Sequence, residues 1–150
     1  KVAAAKAERQ VKDGFVGSYV HSNGKVAALV ALACETDFVA RTEDFQALAH
    51  DLAIHVAAMN PKYLTPEMVP ADVVAKEEEI YREQLKAEKK PEAMWDKILP
   101  GKLAKFYAEV CLLNQPYVKD DSLTIAQVLE SAISKLGENI QIASFSRISI

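Results

Sequence analysis

Residues 25–41 read KVAALVALACETDFVAR. From Val26 to Cys34 the stretch is apolar throughout, and a run of that length bounded by turn signals reads as a strand covered on both faces. Just upstream, GFVGSYVH is a second β-type run, separated from the first by Ser22-Asn23-Gly24. Asn-Gly is a strong hairpin signal because both residues tolerate positive φ, so two antiparallel strands are expected, at about 14–21 and 25–34. Downstream the period changes. Phe45, Leu48, Leu52, His55/Val56 and Met59 recur at spacings of 3 and 4, one buried helical stripe. Thr42 is placed to cap that helix, with Glu43 and Asp44 in its first turn, where carboxylates favour the positive end of the dipole. Between strand and helix stand Glu35, Thr36, Asp37 and Phe38. A plain connection needs only small polar residues there; the phenylalanine is surplus.

The rest of the chain adds helices and one more strand. Asn60-Pro61 ends the first long helix, because the residue before a proline is pushed away from helical backbone. A loop holding Pro61, Pro66 and Pro70 leads into ADVVAKEEEIYREQLKAEKK, helical and highly charged. Pro91 opens another long helix, in which Pro100-Gly101 is expected to produce a kink or a break. Two charged helices joined by the short AEKKPEA turn make an antiparallel helical hairpin. QPYVKDD reads as a loop, TIAQVLESAISKL as an amphipathic helix ended by Gly137, and ENIQIASFSRISI as a β run with imperfect alternation. The expected fold is α+β: a three-stranded antiparallel sheet covered by helices, with an inserted helical hairpin at about 71–112. Residues 1–11 read as the remnant of a linker helix and 12–150 as the core domain. A sheet this small has two edges and a face to hide, most simply against a second copy.

Composition narrows the function classes. The chain has 150 residues, 50% hydrophobic and 26% charged, enough to bury one sizeable core. A formal charge of −3 without a basic stripe gives no reason to expect nucleic acid. No apolar stretch reaches the length of a membrane span, and KVAAAKAERQ lacks the apolar segment of a secretory signal. Cys34 and Cys111 lie in apolar surroundings and read as buried thiols of a reducing compartment, so a cytoplasmic location is expected. With no initiator Met, the sequence reads as a fragment or a trimmed product.

A catalytic constellation is not legible. The five glycines form no phosphate loop. The histidines are His21, His50 and His55; His50 and His55 are five apart and do not share a helix face as a zinc pair would, and no metal or other cofactor is expected. Glu35 and Asp37 resemble a carboxylate dyad, but two acids at a helix start are commonplace. Glu77-Glu78-Glu79 reads as a solvated helix face. Phe38 has two readings. It packs beneath the next helix as a staple, or Thr36 and Asp37 cap a short turn that holds the ring outward, as interface hot spots are held. Periodicity does not choose between them.

The residues in question also resemble a known family. CETDFVAR after an apolar strand is similar to the signature of the bacterial and organellar elongation factor Ts family. GSYVHSNGKVAALVALACETDFVA resembles its first hairpin, HDLAIHVAAMNPKYL its following helix, PGKLAKFYAEV a helix of its arm, LLNQPYVKDD a later segment, and KLGENIQI the approach to the last strand. The likeness covers nearly all of 1–150. It implies a guanine-nucleotide exchange factor for elongation factor Tu, binding its GDP-bound and nucleotide-free forms without covalent chemistry of its own. By residue match, Asp37 and Phe38 would meet the GTPase domain beside the magnesium and phosphate site, with Thr36 and Val39 shaping the turn. His55, Val56 and Met59 match a second contact on another domain of Tu.

The match departs from the family in places. The family's amino-terminal module, similar to a ubiquitin-associated domain, is absent from these residues. The chain resembles the short form of the family, which implies a homodimer. Ser144-Phe145-Ser146 offers no cysteine to link it, and Ala143-Ser144 stand where the family usually has arginines. Two other classes remain: a dimeric scaffold or protein-binding module of another pathway, with no preference for empty Tu, and an enzyme using Glu35 and Asp37, with turnover needing no protein partner.

Overall fold

The structure, a computed structural model, describes residues 2–150. It divides into two compact units, residues 2–60 with 116–150, and residues 61–115.

The first unit is built on the expected hairpin. β1 (Asp13–Val20) pairs antiparallel with β2 (Val26–Cys34), and β2 pairs antiparallel with β5 (Gln141–Ser149), giving the order β1-β2-β5. The turn differs from a two-residue Asn-Gly loop. It spans residues 21–25, and only Gly24 has positive φ, at 72°. Asn23 instead accepts the Lys25 N–H through its side chain, the local bonding that makes Asn a turn residue.

Alternate residues of β2 point to opposite faces. Ala28, Val30, Leu32 and Cys34 are buried beneath the helix α3 (Glu43–Met59), which contributes Phe45, Ala49, Leu52, Ala53 and Val56 to the same core. Gly17 permits the close approach of β1 to α3: a Cβ there would stand 2.2 Å from the Ala49 carbonyl. Among the described residues nothing buries the opposite face of β2 fully, which corrects the expectation of a strand buried on both sides. Leu29 is 50% exposed. The register places Val20, Ala27 and Ile148 in one row, Ser18, Leu29 and Ser146 in the next, and Val16, Ala31 and Ser144 in a third. No charged side chain occurs in these rows.

The imperfect alternation of the last strand has a cause. Leu32 pairs with Ile142 and Ala31 with Ser144, so Ala143 is an extra residue in β5. Such a bulge turns the remaining side chains over by one position, and Phe145 rather than Ser144 shares the inner face with Ile142. Before β5, the expected loop at QPYVKDD contains a small hairpin, β3 (Pro116–Tyr117) with β4 (Asp120–Thr124). α6 (Ile125–Leu136) follows, opened by a capping box between Thr124 and Gln127 and closed by Gly137 at φ 79°. At the amino-terminal end, helix α1 covers only Val2–Lys6.

The second unit holds the helical hairpin, α4 (Ala71–Ala87) and α5 (Glu92–Val110). Leu85, Trp95 and Leu99 form its small core, flanked by Tyr81 and Ile98, and the Trp95 indole donates to the Lys90 carbonyl at 3.1 Å. α5 continues through Pro100-Gly101, so the break, one of the two expected outcomes, does not occur. Proline inside a helix costs about 3 kcal/mol. Burying a large apolar side chain returns about 1.5–3 kcal/mol, and Trp95, Ile98 and Leu99 together exceed the penalty. At the unit's ends, Lys62 and Tyr63 donate to the Val110 carbonyl, and Leu112 donates to Tyr63.

Candidate functional site: a capped corner displaying Phe38

The corner between β2 and α3 is a separate four-residue helix, α2 (Asp37–Ala40). Thr36 is its N-cap, with extended backbone (φ −130°, ψ 154°), and its hydroxyl accepts the Val39 N–H at 3.3 Å. The far end is fastened by Thr42, whose hydroxyl donates to the Val39 carbonyl at 2.8 Å and caps α3 by accepting from Phe45. Gln46 donates to the Ala40 carbonyl. Val39 and Ala40 are buried beneath the turn. Helical geometry then turns Phe38, one residue before Val39, away from the core.

Phe38 is 80% exposed. That removes the staple reading. Beside it, Asp37 and Arg41 form an ion pair at 2.9 Å on the open surface.

A further pair of residues, just before the adjacent strand β5, holds this corner. Glu138 accepts the Glu35 and Thr36 N–H groups, each at 3.1 Å, and the Thr36 hydroxyl at 2.7 Å. In return, the Glu35 carboxylate accepts the Asn139 N–H at 2.6 Å. The buried Asn139 side chain donates to the Arg9 and Ala7 carbonyls. Sequence reading missed both residues as site members. The only signal was the GENI segment itself, and nothing in its spacing points to a corner some 102 residues earlier.

The other site residues lie on the second half of α3. His55 and Val56 are fully buried, whereas Met59 is 40% exposed. His55 accepts the Val118 N–H through Nδ1 at 3.1 Å and lies against the Tyr117 ring, 5.9 Å between centroids. In this conformation only Met59 of the three offers a partner substantial surface. The corner and the α3 end therefore present two exposed groups, Phe38 on α2 just before α3 and Met59 at the last residue of α3.

The chemistry around the corner is quiet. Cys34 is buried, donates to the Thr36 carbonyl at 3.2 Å, and has its pKa pushed up to about 11, first by burial and then by the Glu138 charge. Burial likewise raises that of Cys111. Both cysteines are free thiols. Among the described residues no group of three or more His, Cys, Asp or Glu is placed to hold a metal ion, and no helix is long and apolar enough to cross a membrane.

The sequence matches the family described as Elongation factor TS over residues 1–150. The chain belongs to the elongation factor Ts family. Curated relatives carrying that name include one from Fervidobacterium nodosum, 53% identical over 99% of this chain and 75% of the relative. The protein from Pseudothermotoga lettingae is 52% identical over 99% of this chain and 75% of its own length. For that from Solibacter usitatus the values are 49%, 99% and 70%. By family, this is a translation elongation factor, and the capped Phe38 corner is part of the region that the family match covers.

Proposed function

We infer that this chain is a guanine-nucleotide exchange factor for elongation factor Tu, and that it acts by pressing the Phe38 corner against Tu beside the bound magnesium and phosphates. The observation that carries this reading is the exposure of Phe38 on a turn capped at both ends. Burying a phenylalanine stabilises a fold by about 1.5–3 kcal/mol; here that gain is forgone and the ring is held outward by polar bonds. Rigid aromatic anchors of this kind dominate interfaces, and truncating one commonly costs about 2 kcal/mol or more. Asp37 adds a carboxylate next to the ring, Thr36 and Val39 shape the turn, and Met59 carries a second contact at the far end of α3. His55 and Val56 support that second contact from beneath.

Family membership supports the reading, and linkage supplies its mechanism. A GTPase holds GDP largely through phosphate and magnesium contacts. A wedge that disorders those contacts binds most tightly to the empty form, and it weakens nucleotide by the same factor by which nucleotide weakens the wedge. The process needs no covalent step. Calorimetric titration of cognate Tu is the test: affinity for nucleotide-free Tu should exceed affinity for Tu·GDP by ten-fold or more, on the order of the usual coupling energies. Equal affinities would overturn the proposal.

The uncovered sheet face supports a second element of the reading, pairing of two copies. Its three rows of Ala, Ser, Val, Leu and Ile carry no charge and suit packing sheet on sheet.

A further inference from the structure

We propose that Glu138 is a positioning residue for exchange: its carboxylate fixes the corner from which Phe38 projects, and the reciprocal Glu35–Asn139 bond ties that corner to the Ala7–Arg9 backbone. The inference rests on the reading of Phe38 as the wedge. It assigns a role to a segment that never needs to touch Tu.

The argument begins with the weakness of α2. A single helical turn is not self-supporting, since nucleation fixes several residues for one hydrogen bond, and the cap bond from Val39 to Thr36 is long at 3.3 Å. Its strength comes from elsewhere. Glu138 directly follows Gly137, whose left-handed backbone ends α6, so α6 sets the place from which the carboxylate reaches. One carboxylate oxygen takes two N–H groups of the corner and the other takes the Thr36 hydroxyl. Bonds to an ionised acceptor are roughly twice as strong as neutral ones.

The Thr36 bond also orients the cap. A hydroxyl has one proton and two lone pairs. With the proton given to Glu138, the lone pairs are left to accept the Val39 N–H. The direction of the cap, and so the axis of α2 and the bearing of Phe38, follow from Glu138. Glu35 and Asn139 then lace the two segments in the reverse direction. Asn139 extends the lace to residues 7 and 9, so a displacement of that backbone reaches the base of the ring through two hydrogen-bonded residues.

The test uses the whole chain with E138A, E138Q, E138D, F38A and the double variant E138A/F38A. In E138A, amide hydrogen exchange at Glu35, Thr36 and Val39 should speed up about ten-fold or more, while Ala28 to Leu32 in β2 stay protected, the pattern of a local opening. GDP release from Tu stimulated by E138A should fall about ten-fold, and E138Q, which keeps one carbonyl oxygen for the two N–H groups but sets an NH2 donor against the Thr36 hydroxyl and carries no charge, should recover only part of both losses. E138D retracts the carboxylate by one methylene and should show the same pattern more mildly, so the prediction survives if E138A fails to fold. In the double variant, release should be no slower than with F38A alone, as for residues acting as a unit. Unchanged protection at the corner, or a full additional loss in the double variant, would overturn the role of Glu138. If F38A slows release and E138A does not, the Glu138 proposal alone falls; if F38A itself exchanges like wild type, the wedge reading falls and takes this proposal with it.

Discussion

At the scale of single residues, Phe38 and Cys34 are neighbours with opposite fates. The alternation of β2 sends Cys34 inward, and the turn of α2 sends Phe38 outward. Because Phe38 contributes little to the core, F38A should change unfolding free energy by no more than about 0.5 kcal/mol, as surface substitutions do; a loss of several kcal/mol in a denaturant titration would show that the ring supports the fold. Cys34 should resist a thiol reagent at about pH 8 until the chain unfolds, because only the thiolate reacts. The sign of its pH effect follows from the raised pKa. The folded thiol keeps its proton up to about 11, whereas the unfolded one ionises near its ordinary value of 9.0. This group therefore leaves stability unchanged below pH 9.0 and lowers it as pH rises towards 11. Denaturation midpoints of wild type and C34A measured across that window should differ in slope, and parallel slopes would contradict the assignment. Residue types near the corner were legible in the sequence, Thr36 as a cap and Phe38 as surplus. The direction of the ring was not, because a staple and an outward ring share one sequence spacing.

At the scale of elements, periodicity carried the long helices and the hairpin, since a stripe at 3 and 4 or a continuous apolar run reports burial directly. It failed where one residue changes the count. The extra Ala143 in β5 leaves no composition signal, and β3 with β4 is too short and too polar to show a period. At Pro100 the helix continues without a break because the packing of Trp95 and Leu99 offsets the local cost. Two glycines test the elements in opposite directions. Gly17→Ala would drive a methyl into the α3 backbone and should destabilise by about 1–3 kcal/mol, as overpacking does. Gly101→Ala lies in a helix interior with nothing within 4 Å of the added Cβ and should stabilise by about 0.5–1 kcal/mol. Thermal unfolding of both variants checks the pair; equal shifts, or shifts of the reverse sign, would refute the packing described.

At the scale of the whole molecule, the proposed pairing of two copies would account for β2 reading as buried on both sides although the described residues cover only one. Apolar residues at Val20, Leu29 and Ile148 suit a second sheet. Sedimentation at micromolar concentration should therefore show a dimer, and Leu29→Asp, which sets a charge at the centre of the face, should yield a monomer that keeps its fold; a wild-type monomer would refute the pairing. The long-range lace of Glu138, Asn139 and Glu35 could not be read from a single sequence, because hydrogen bonds across 102 to 104 residues have no local signature. The central claim is that Phe38 loosens nucleotide on Tu. Its most direct measurement is stopped-flow release of fluorescent GDP from cognate Tu, alone, with this chain, and with F38A. The account predicts that the chain accelerates release and that F38A loses about thirty-fold of that efficiency, the equivalent of a 2 kcal/mol hot spot. Release that F38A stimulates as well as wild type would contradict it.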